Sequence, residues 1–325
     1  MSGKSKIEWT DATWNPTVGC TKVTAGCREC YAERIHDMRH KAYLEGKKVP
    51  QQYAEPFGKI QLMRERLLWS TSVRGRKLIF VDSMSDLFHE AIPTYFINKV
   101  FDTMAACPEH IFQVLTKRIG RAKAVLSEYN PGVLSHTYPL PNVWIGTSVE
   151  IQETADKRIP LLLETPAAHR FLSIEPLLGP TRPILGKRYC KNCNVIHWTA
   201  NPSGYGFVKQ EVYCPKCGYA YGYFDNSVGC SDIEWVIVGG ESGPGARSLK
   251  SEWVENLQVQ CERAHVPFFF KQWGEYAPVN AGINEPAGWD GMVMKWLGKL
   301  KAGHILNGKE YREMPKEMKE LREKK

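Results

Sequence analysis

Short apolar runs rich in branched and aromatic residues recur along the chain, and polar or glycine residues follow each run. We predict strands at six of them, residues 77–82, 110–116, 142–147, 170–174, 234–239 and 267–271, and a further strand before Cys20. Stretches that can form helices separate the runs, and this alternation is typical of a parallel sheet covered on both faces. The pattern therefore predicts an α/β fold, a full or partial (β/α) barrel of six to seven parallel strands, with an open doubly wound sheet as the alternative.

Two stretches depart from this alternation. The composition changes to Cys, Tyr, Gly and Asn over residues 187–231, which predicts an inserted module. The barrel is then expected to comprise residues 1–186 and 232–301. Residues 302–325 are expected to form a charged C-terminal helix, which Pro315 can open and whose surface faces solvent.

Length and composition place the chain among folded globular proteins. It has 325 residues, of which 43% are hydrophobic and 24% charged. No apolar run reaches the roughly 18 residues that span a bilayer. The amino-terminal segment MSGKSKIEWTDATWNP also lacks the apolar centre of a secretion signal. We therefore expect a cytoplasmic protein with no membrane partner.

The chain carries an excess of positive charge. Lys and Arg total 43 against 35 Asp and Glu, a formal net charge of +8. Part of the excess lies in residues 34–77, where Tyr43, Tyr53, Phe57 and Trp69 are interleaved with basic residues. Such a composition suits phosphates and stacked bases, so nucleic acid is an expected partner. A solvated helical surface is the other interpretation.

Four of the cysteines have the spacing of a zinc site. Cys190 with Cys193, and Cys214 with Cys217, form two Cys-x2-Cys pairs, and paired turns of this kind bring four thiolates around one Zn²⁺. Disulfides are disfavoured because the cytoplasm keeps thiols reduced. Four ligands close the coordination shell, so the ion would stabilise a zinc-ribbon-like insertion without taking part in catalysis.

Cys20, Cys27 and Cys30 form a second group, which has three members and no evident fourth. Three thiolates on a [4Fe–4S] cluster leave one iron open for a small molecule, whereas clusters that only transfer electrons normally have four cysteines. The alternatives are a zinc site completed by His36 or His40, and unrelated core cysteines.

Polar side chains follow nearly every predicted strand. In parallel α/β folds the carboxyl ends of the strands share one mouth, where ligands bind. We therefore expect these side chains to converge, although helix caps use the same residue types. The candidates are Asp82, Lys117, Glu150, Glu175, Glu241 and Lys271.

Seven segments resemble those of a known family. They are TWNPTVGCTKVTAGCRECYAERI, DSMSDLF, LTKR, WIGTSVE, FLSIEPLLGP, WVIVGGESGPGAR and FFKQWGEY. They are similar to segments of the phage-associated three-cysteine-motif family, a divergent branch of the radical S-adenosylmethionine enzymes with a distant likeness to spore photoproduct lyase. The chain departs from typical radical enzymes in its Cys-x6-Cys-x2-Cys spacing and in the late position of Gly-Gly-Glu, at 239–241.

The resemblance implies cofactors and an activity. The three amino-terminal cysteines would hold a [4Fe–4S] cluster whose open iron binds S-adenosyl-L-methionine. Reductive cleavage of that cofactor would yield a 5′-deoxyadenosyl radical, which takes hydrogen from the substrate. The implied partners are nucleic acid, DNA in the first instance, whose base is repaired or modified, and a reductase or flavodoxin-type electron donor. A non-catalytic, zinc-stabilised nucleic-acid-binding protein is the alternative.

The resemblance and the positions of the strand ends together assign roles to individual residues. Those assigned to S-adenosylmethionine are Ser83, Ser85, Asp86 and Glu241 near its methionine end and Thr147, Ser148 and Glu150 near its ribose. Those assigned to catalysis are Lys117, Glu175, Lys271 and Cys261, the last as a hydrogen donor or else an inert buried thiol. Those assigned to an anionic substrate are Arg118 and Arg247.

Overall fold

The computed structural model describes residues 3–132, 137–183, 187–190, 195–198, 232–280 and 292–323. In chain order the strands are β1 (Gly3–Lys4), β2 (Ala12–Trp14), β3 (Thr17–Val18), β4 (Gln61–Leu62), β5 (Leu78–Val81), β6 (Ile111–Thr116), β7 (Val143–Ser148), β8 (His169–Ile174), β9 (Lys187–Cys190), β10 (Val195–Trp198), β11 (Trp235–Gly239), β12 (Phe268–Gln272), β13 (Tyr276–Asn280), β14 (Met292–Trp296), β15 (Ile305–Leu306) and β16 (Lys309–Glu310). The helices are α1 (Tyr31–Leu44), α2 (Thr94–Ala105), α3 (Ile119–Glu128), α4 (Gln152–Glu164), α5 (Ser251–Arg263), α6 (Lys299–Ala302) and α7 (Lys316–Glu323).

Eight strands form the central sheet, in the order β1-β2-β5-β6-β7-β8-β11-β12. Strand β1 is antiparallel to β2, and the other seven strands are parallel. The predicted strands are confirmed, six of them to within one residue at each end. From β2 to β12 the parallel strands lie in the sheet in the same order as in the chain. An open doubly wound sheet instead reverses this order at its switch point. The sheet is therefore ordered as in a (β/α) barrel.

Both faces of the sheet are buried, as near-continuous apolar strands require. On β5, Ile79 and Val81 pack with helices α2 to α5 in the larger core cluster. Their neighbours Leu78 and Phe80 point to the opposite face and join a second cluster. Alternation of side chains along each strand therefore separates an outer layer of helices from an inner aromatic layer.

The inner layer shows that the sheet is strongly curved. The Trp9 ring lies 4.8 Å from the Phe80 ring on β5 and 6.1 Å from the Trp235 ring on β11, centroid to centroid. Four strand spacings separate β5 from β11, which is about 19 Å in a flat sheet. One indole ring contacts both because the sheet curls around it. Among the described residues no ladder joins β12 to β1 or β2; instead the Phe270 amide donates to the Tyr311 carbonyl at 2.9 Å.

The C-terminal helix exists, but the expectation that it is a solvated surface helix is wrong for one of its faces. Met318 and Leu321 of α7 are buried against the inner aromatic cluster. The indole N–H of Trp235, at the amino end of β11, donates to the Glu313 carbonyl at 2.9 Å, just before this helix. Helix α7 therefore covers the amino ends of the strands. Residues before it form the β15–β16 hairpin rather than a longer helix.

Part of the insertion is described as an antiparallel hairpin of β9 and β10, in which Cys190 pairs with Val195. The Cys190 side chain and the whole of Cys193, Cys214 and Cys217 lie outside the described residues. The four-cysteine zinc site therefore stays a prediction. No helix in the described ranges is long and apolar enough to cross a membrane.

Candidate functional site

The three amino-terminal cysteines lie on one segment, residues 19–30, which we call the cysteine loop. It follows β3 at the carboxyl end of β2 and leads into α1. Gly19 has a φ of +97°, and a Cβ there would collide with the carbonyl oxygens of Phe57 and Lys59. The Cys20 amide donates to that Phe57 carbonyl at 3.0 Å. Glycine at this position therefore lets the loop begin directly above the first parallel strand.

The three thiols differ in their surroundings. Burial raises the pKa of Cys20 to about 11, and Asp86 adds to that effect while Arg118 opposes it. Burial also raises the pKa of Cys30, although that sulfur accepts backbone N–H groups at the start of α1, where a helix favours anions. Charge on Cys27 raises the pKa of both other thiols, so Cys27 lies near each of them. None of the three is in a disulfide.

Arg118, directly after β6, is the first of three charged anchors of the cysteine loop. Its Nη1 lies 3.6 Å from the Cys20 sulfur and 3.3 Å from a carboxylate oxygen of Asp86. Its Nη2 donates to the Thr21 carbonyl and hydroxyl, both at 3.0 Å, and its Nε donates to Glu90 at 2.9 Å. The guanidinium is almost completely buried. A side chain engaged in this way holds the loop and has no free face for a substrate phosphate.

Glu150, after β7, is the second anchor. Its carboxylate accepts from Lys117 at 2.6 Å, from Arg158 at 3.0 Å and from the Thr24 hydroxyl of the loop at 2.9 Å. Burial alone would raise its pKa, but the two cations overcome that effect and hold the pKa below its usual range. A Cβ at Gly26 would collide with the Glu150 side chain. Only glycine therefore lets the loop approach this buried ion group so closely.

Glu241 and Arg247, after β11, form the third anchor. They lie at the two ends of a glycine-rich segment and form a salt bridge, with the Arg247 Nε donating to Glu241 at 2.8 Å. The Arg247 Nη2 also donates to the Ala25 carbonyl of the cysteine loop at 2.8 Å. In the other direction, Arg28 of the loop donates to the Gly245 carbonyl at 3.0 Å. The loop after β11 and the cysteine loop are thus bound to each other across the mouth.

A pair of opposite charges lies across the mouth from the cysteines. Lys271 on β12 contacts both carboxylate oxygens of Glu175, at 2.9 and 3.0 Å, and Gln272 donates to the same carboxylate at 3.2 Å. Both charged side chains keep part of their surface exposed, to about the same degree as Lys117 and Arg247 of the anchors. Unlike those side chains, this pair makes no described hydrogen bond to the cysteine loop.

Tyr31 lies at the start of α1, beside the cysteine loop. Its hydroxyl donates to the Ser83 carbonyl at 2.5 Å. Burial raises the pKa of that hydroxyl, and Cys30 and Glu175 add to that effect, so both groups lie near it. Tyr31 therefore connects the end of the cysteine loop with the segment that follows β5.

Asp82, at the end of β5, is buried with a φ of +58°. Its carboxylate accepts from the Thr17 amide at 3.0 Å and from the Thr17 hydroxyl at 2.8 Å. Burial nonetheless raises its pKa to about 7. Sequence reasoning placed Asp82 at a strand end but assigned it no role, because nothing in the sequence shows that its side chain turns inward.

The predicted convergence at the strand ends is therefore observed, but several side chains assigned to the cofactor are already used by the fold. Asp86 accepts four hydrogen bonds, from Phe88, Thr116, Lys117 and Arg118. The others in this position are Thr147, whose hydroxyl donates to the Thr116 carbonyl, Ser83, whose hydroxyl is bonded to Asn15, and Ser85, whose hydroxyl is bonded to Thr17. These side chains shape the mouth and are engaged within the fold. Ser148 is buried, and its backbone carbonyl accepts from Arg158 at 2.7 Å.

Cys261 is the candidate that the structure places elsewhere. It is completely buried near the C-terminal end of α5, in the cluster between helices and sheet. Burial raises the pKa of its thiol, and the nearby Glu313 adds to this, which puts it at the amino end of the strands. Opposite the mouth and without access to it, Cys261 is a core thiol.

The structure also places the two histidines of α1 and the aromatic residues of the basic segment. His36 is buried with its Nε2 3.3 Å from the Gln52 carbonyl, and His40 has its Nδ1 2.7 Å from the Tyr53 carbonyl. Each imidazole thus holds α1 against the next segment through one ring nitrogen, and the zinc site completed by His36 or His40 stays an alternative. Tyr53 and Phe57 are themselves buried. Of the four aromatic residues expected to stack on bases, these two belong to the core.

Sequence reasoning missed the partners that complete the anchors. Thr24, Arg28 and Arg158 each contact another segment of the mouth. The available signal was local: Thr24 and Arg28 lie between the cysteines, within the segment already singled out. Arg158 lies inside α4, and its position in the sequence does not show that its side chain reaches Glu150 at the mouth.

Comparison with known proteins gives one match. No curated protein and no solved structure matches the chain significantly. A family model covers residues 4–315, which includes the cysteine loop, the three anchors and all seven parallel strands. The chain therefore belongs to the family described as Protein of unknown function (DUF5131).

Proposed function

We propose that the protein is a radical S-adenosylmethionine enzyme, with a [4Fe–4S] cluster on Cys20, Cys27 and Cys30, that repairs or modifies a base of nucleic acid. The observation that carries the proposal is the placement of the cysteine loop. It brings three free thiols to the carboxyl end of the first parallel strand, at the mouth of a curled βα sheet. Ligands of such folds bind at that end.

The residues present fit such a cluster. Cys107 and Cys261, the other described free thiols, are buried in the core and supply no fourth ligand. Among the described residues no three His, Cys, Asp or Glu side chains are arranged to hold a metal ion. The charge on Cys27 nonetheless acts on both Cys20 and Cys30, so the three thiols lie near one another. Arg118 and backbone N–H groups directed at the sulfurs suit the negative charge that cluster ligands carry.

A cluster bound there with S-adenosylmethionine supplies reductive cleavage of a carbon–sulfur bond and a carbon radical that takes hydrogen from the substrate. The protein holds the loop in place through Arg118, Glu150 and Arg247. Lys271 and Glu175 remain to bind an anionic group or to move a proton at the mouth. Tyr31 lies near Cys30 and Glu175, whose charges both raise the pKa of its hydroxyl.

The nucleic-acid substrate is supported by charge near the mouth. Arg28 and Lys22 of the cysteine loop keep more than half of their side chains exposed, and Arg34 on α1 is exposed beside them. Phosphate groups attract such side chains and screening by salt weakens the attraction. We further propose that the sheet forms a partial barrel and that the insertion holds structural zinc. An electron donor of the flavodoxin type and a cytoplasmic location complete the proposal.

The test is anaerobic purification of the wild type, Cys27→Ala and Cys107→Ala. We expect a brown wild-type protein with about four iron and four sulfide per chain. Cys27→Ala should lose the iron, whereas Cys107→Ala, which removes a buried thiol near Ser70, should keep it. Added S-adenosylmethionine and reductant should yield 5′-deoxyadenosine. A colourless wild type that carries only zinc would contradict the proposal and favour a non-catalytic nucleic-acid-binding protein.

A further inference from the structure

We propose that Arg118 and Asp86 together set the reduction potential of the cluster, through the hydrogen bond from the Arg118 guanidinium to the Cys20 sulfur. The inference rests on the proposed function, since it concerns the same three thiols. It replaces the expected role of Arg118 in substrate binding with a positioning role at the cofactor.

The contacts of Arg118 single out one sulfur. The guanidinium approaches Cys20 at 3.6 Å, a hydrogen-bond distance to sulfur, and is 8% exposed. Its remaining donors go to Asp86, Glu90 and Thr21, which fixes the plane of the guanidinium. The cation is therefore held at Cys20 by Thr21 of the cysteine loop and by two carboxylates of the segment between β5 and α2.

The direction of the effect follows from charge. Reduction adds one negative charge to a cluster, and a cation or a hydrogen bond at a ligand sulfur stabilises the reduced form. In a buried site this stabilisation is weakly screened, because solvent is excluded. Arg118 is thus expected to raise the potential. The planar fork of arginine reaches sulfur and carboxylate simultaneously, which a lysine ammonium does not reproduce.

Asp86 acts in the opposite direction. Its carboxylate lies 3.3 Å from the same guanidinium nitrogen that contacts Cys20. It adds negative charge at the sulfur, as its effect on the Cys20 thiol also shows. Removal of the Asp86 charge should therefore raise the potential, and removal of the Arg118 charge should lower it. If the two residues had only a structural role, their substitutions would not be expected to shift the reduction potential in opposite directions.

The experiment is a redox titration of the reconstituted full-length protein, followed by absorbance and electron paramagnetic resonance. Arg118→Gln should raise the ratio of oxidised to reduced cluster about tenfold at a fixed solution potential, or about 59 mV for a one-electron couple. Asp86→Asn should lower that ratio. Lys123→Gln is the matched control, since it removes one positive charge from the surface of α3, where Lys123 pairs with the exposed Glu164; its ratio should stay within twofold of the wild type.

Each outcome distinguishes the two proposals. A wild type without a cluster refutes the proposed function. A normal cluster with shifts below twofold in both variants, or with shifts in the same direction, overturns the role of Arg118 and Asp86 and leaves the proposed function intact. If Arg118→Gln does not fold, Arg118→Lys and Asp86→Asn decide the matter. A ratio unchanged from wild type in Asp86→Asn then overturns the inference, and a lowered ratio supports it.

Discussion

The two ends of the curled sheet are built from opposite kinds of side chain. At the amino ends of the strands, Trp9, Met318 and Leu321 close the interior with apolar surface. At the carboxyl ends, Arg118, Glu150 and Glu241 are buried as charges. The same strands supply both ends, so the difference lies in the loops and in the C-terminal helix.

The comparison shows how stability and chemistry divide in this fold. Apolar contacts at the amino ends are non-directional and gain free energy in proportion to the area they bury. Buried charges lose hydration and are tolerated only when each finds its partner. The charged end therefore specifies one position for the cysteine loop, and the apolar end stabilises the fold that carries it. Substitutions at the two ends should separate these effects.

The largest expected effect is at the amino ends. Trp9→Ala removes a ring that contacts Phe80, Phe171 and Trp235. The lost burial and the cavity left behind should reduce the free energy of unfolding by about 4 kcal/mol, measured by urea denaturation. Iron content per folded chain should stay at the wild-type level, because the cysteine loop lies at the other end.

Trp296→Ala is the control for Trp9, since Trp296 is about half exposed and its one described ring contact is with Tyr276. It should cost at most about 1 kcal/mol. Iron lost together with stability in Trp9→Ala would show that the two ends are coupled, against the division drawn above.

Much of this fold follows from the sequence because its strands are buried on both faces. The run Leu78–Val81 is apolar at every position and ends at Asp82, and both boundaries are visible in the sequence. The curvature of the sheet cannot be read from the sequence in this way. Met318 and Leu321 have the spacing of any amphipathic helix, and that spacing does not say whether the helix covers the outside of a sheet or one end of it.

For the candidate site, strand order predicts which residues meet but not what they do. Lys117 and Glu150 follow adjacent parallel strands, so their proximity was predictable. Asp86 and Thr147 looked equally suited to a cofactor, yet their hydrogen bonds go to Arg118 and to the Thr116 carbonyl. Those partners come from other segments, and a hydroxyl or carboxylate in a sequence carries no sign of whether the fold will use it.

A smaller effect is expected at the charged end. Glu150→Gln leaves the Lys117 and Arg158 charges without their shared carboxylate. The uncompensated buried charge should reduce the free energy of unfolding by about 3 kcal/mol. In contrast to Trp9→Ala, iron content should fall as well, because the single amide oxygen of Gln cannot serve Lys117, Arg158 and Thr24 together, which weakens the contact with the cysteine loop.

Glu153→Gln provides the matched control, with the same change three residues away. Glu153 is exposed and pairs with Lys157 on the surface of α4. Its substitution should leave the free energy of unfolding indistinguishable from the wild type and the iron in place, because an exposed ion pair contributes little. If Glu150→Gln keeps full iron content, the buried ion group is not an anchor of the loop.

The smallest expected effect concerns Asp82, and it tests whether a buried carboxylate at the charged end destabilises the folded state. Burial raises the Asp82 pKa from its ordinary 3.8 to about 7, so the folded state binds a proton that the unfolded state has lost. The contribution of this group to the free energy of unfolding therefore falls as pH rises from about 4 to about 7 and is level above that range.

The variant Asp82→Asn keeps one acceptor for the Thr17 amide, does not titrate, and suits the positive φ. Its gain in unfolding free energy over wild type should be larger at pH 8 than at pH 5 by just under two pKa units, which is between about 2 and 3 kcal/mol. Asp82→Ala, which loses the acceptor, should destabilise at both values. An equal difference between Asp82→Asn and wild type at pH 5 and pH 8 would mean that Asp82 is ionised throughout, and that the mouth compensates this carboxylate as fully as it does Glu150.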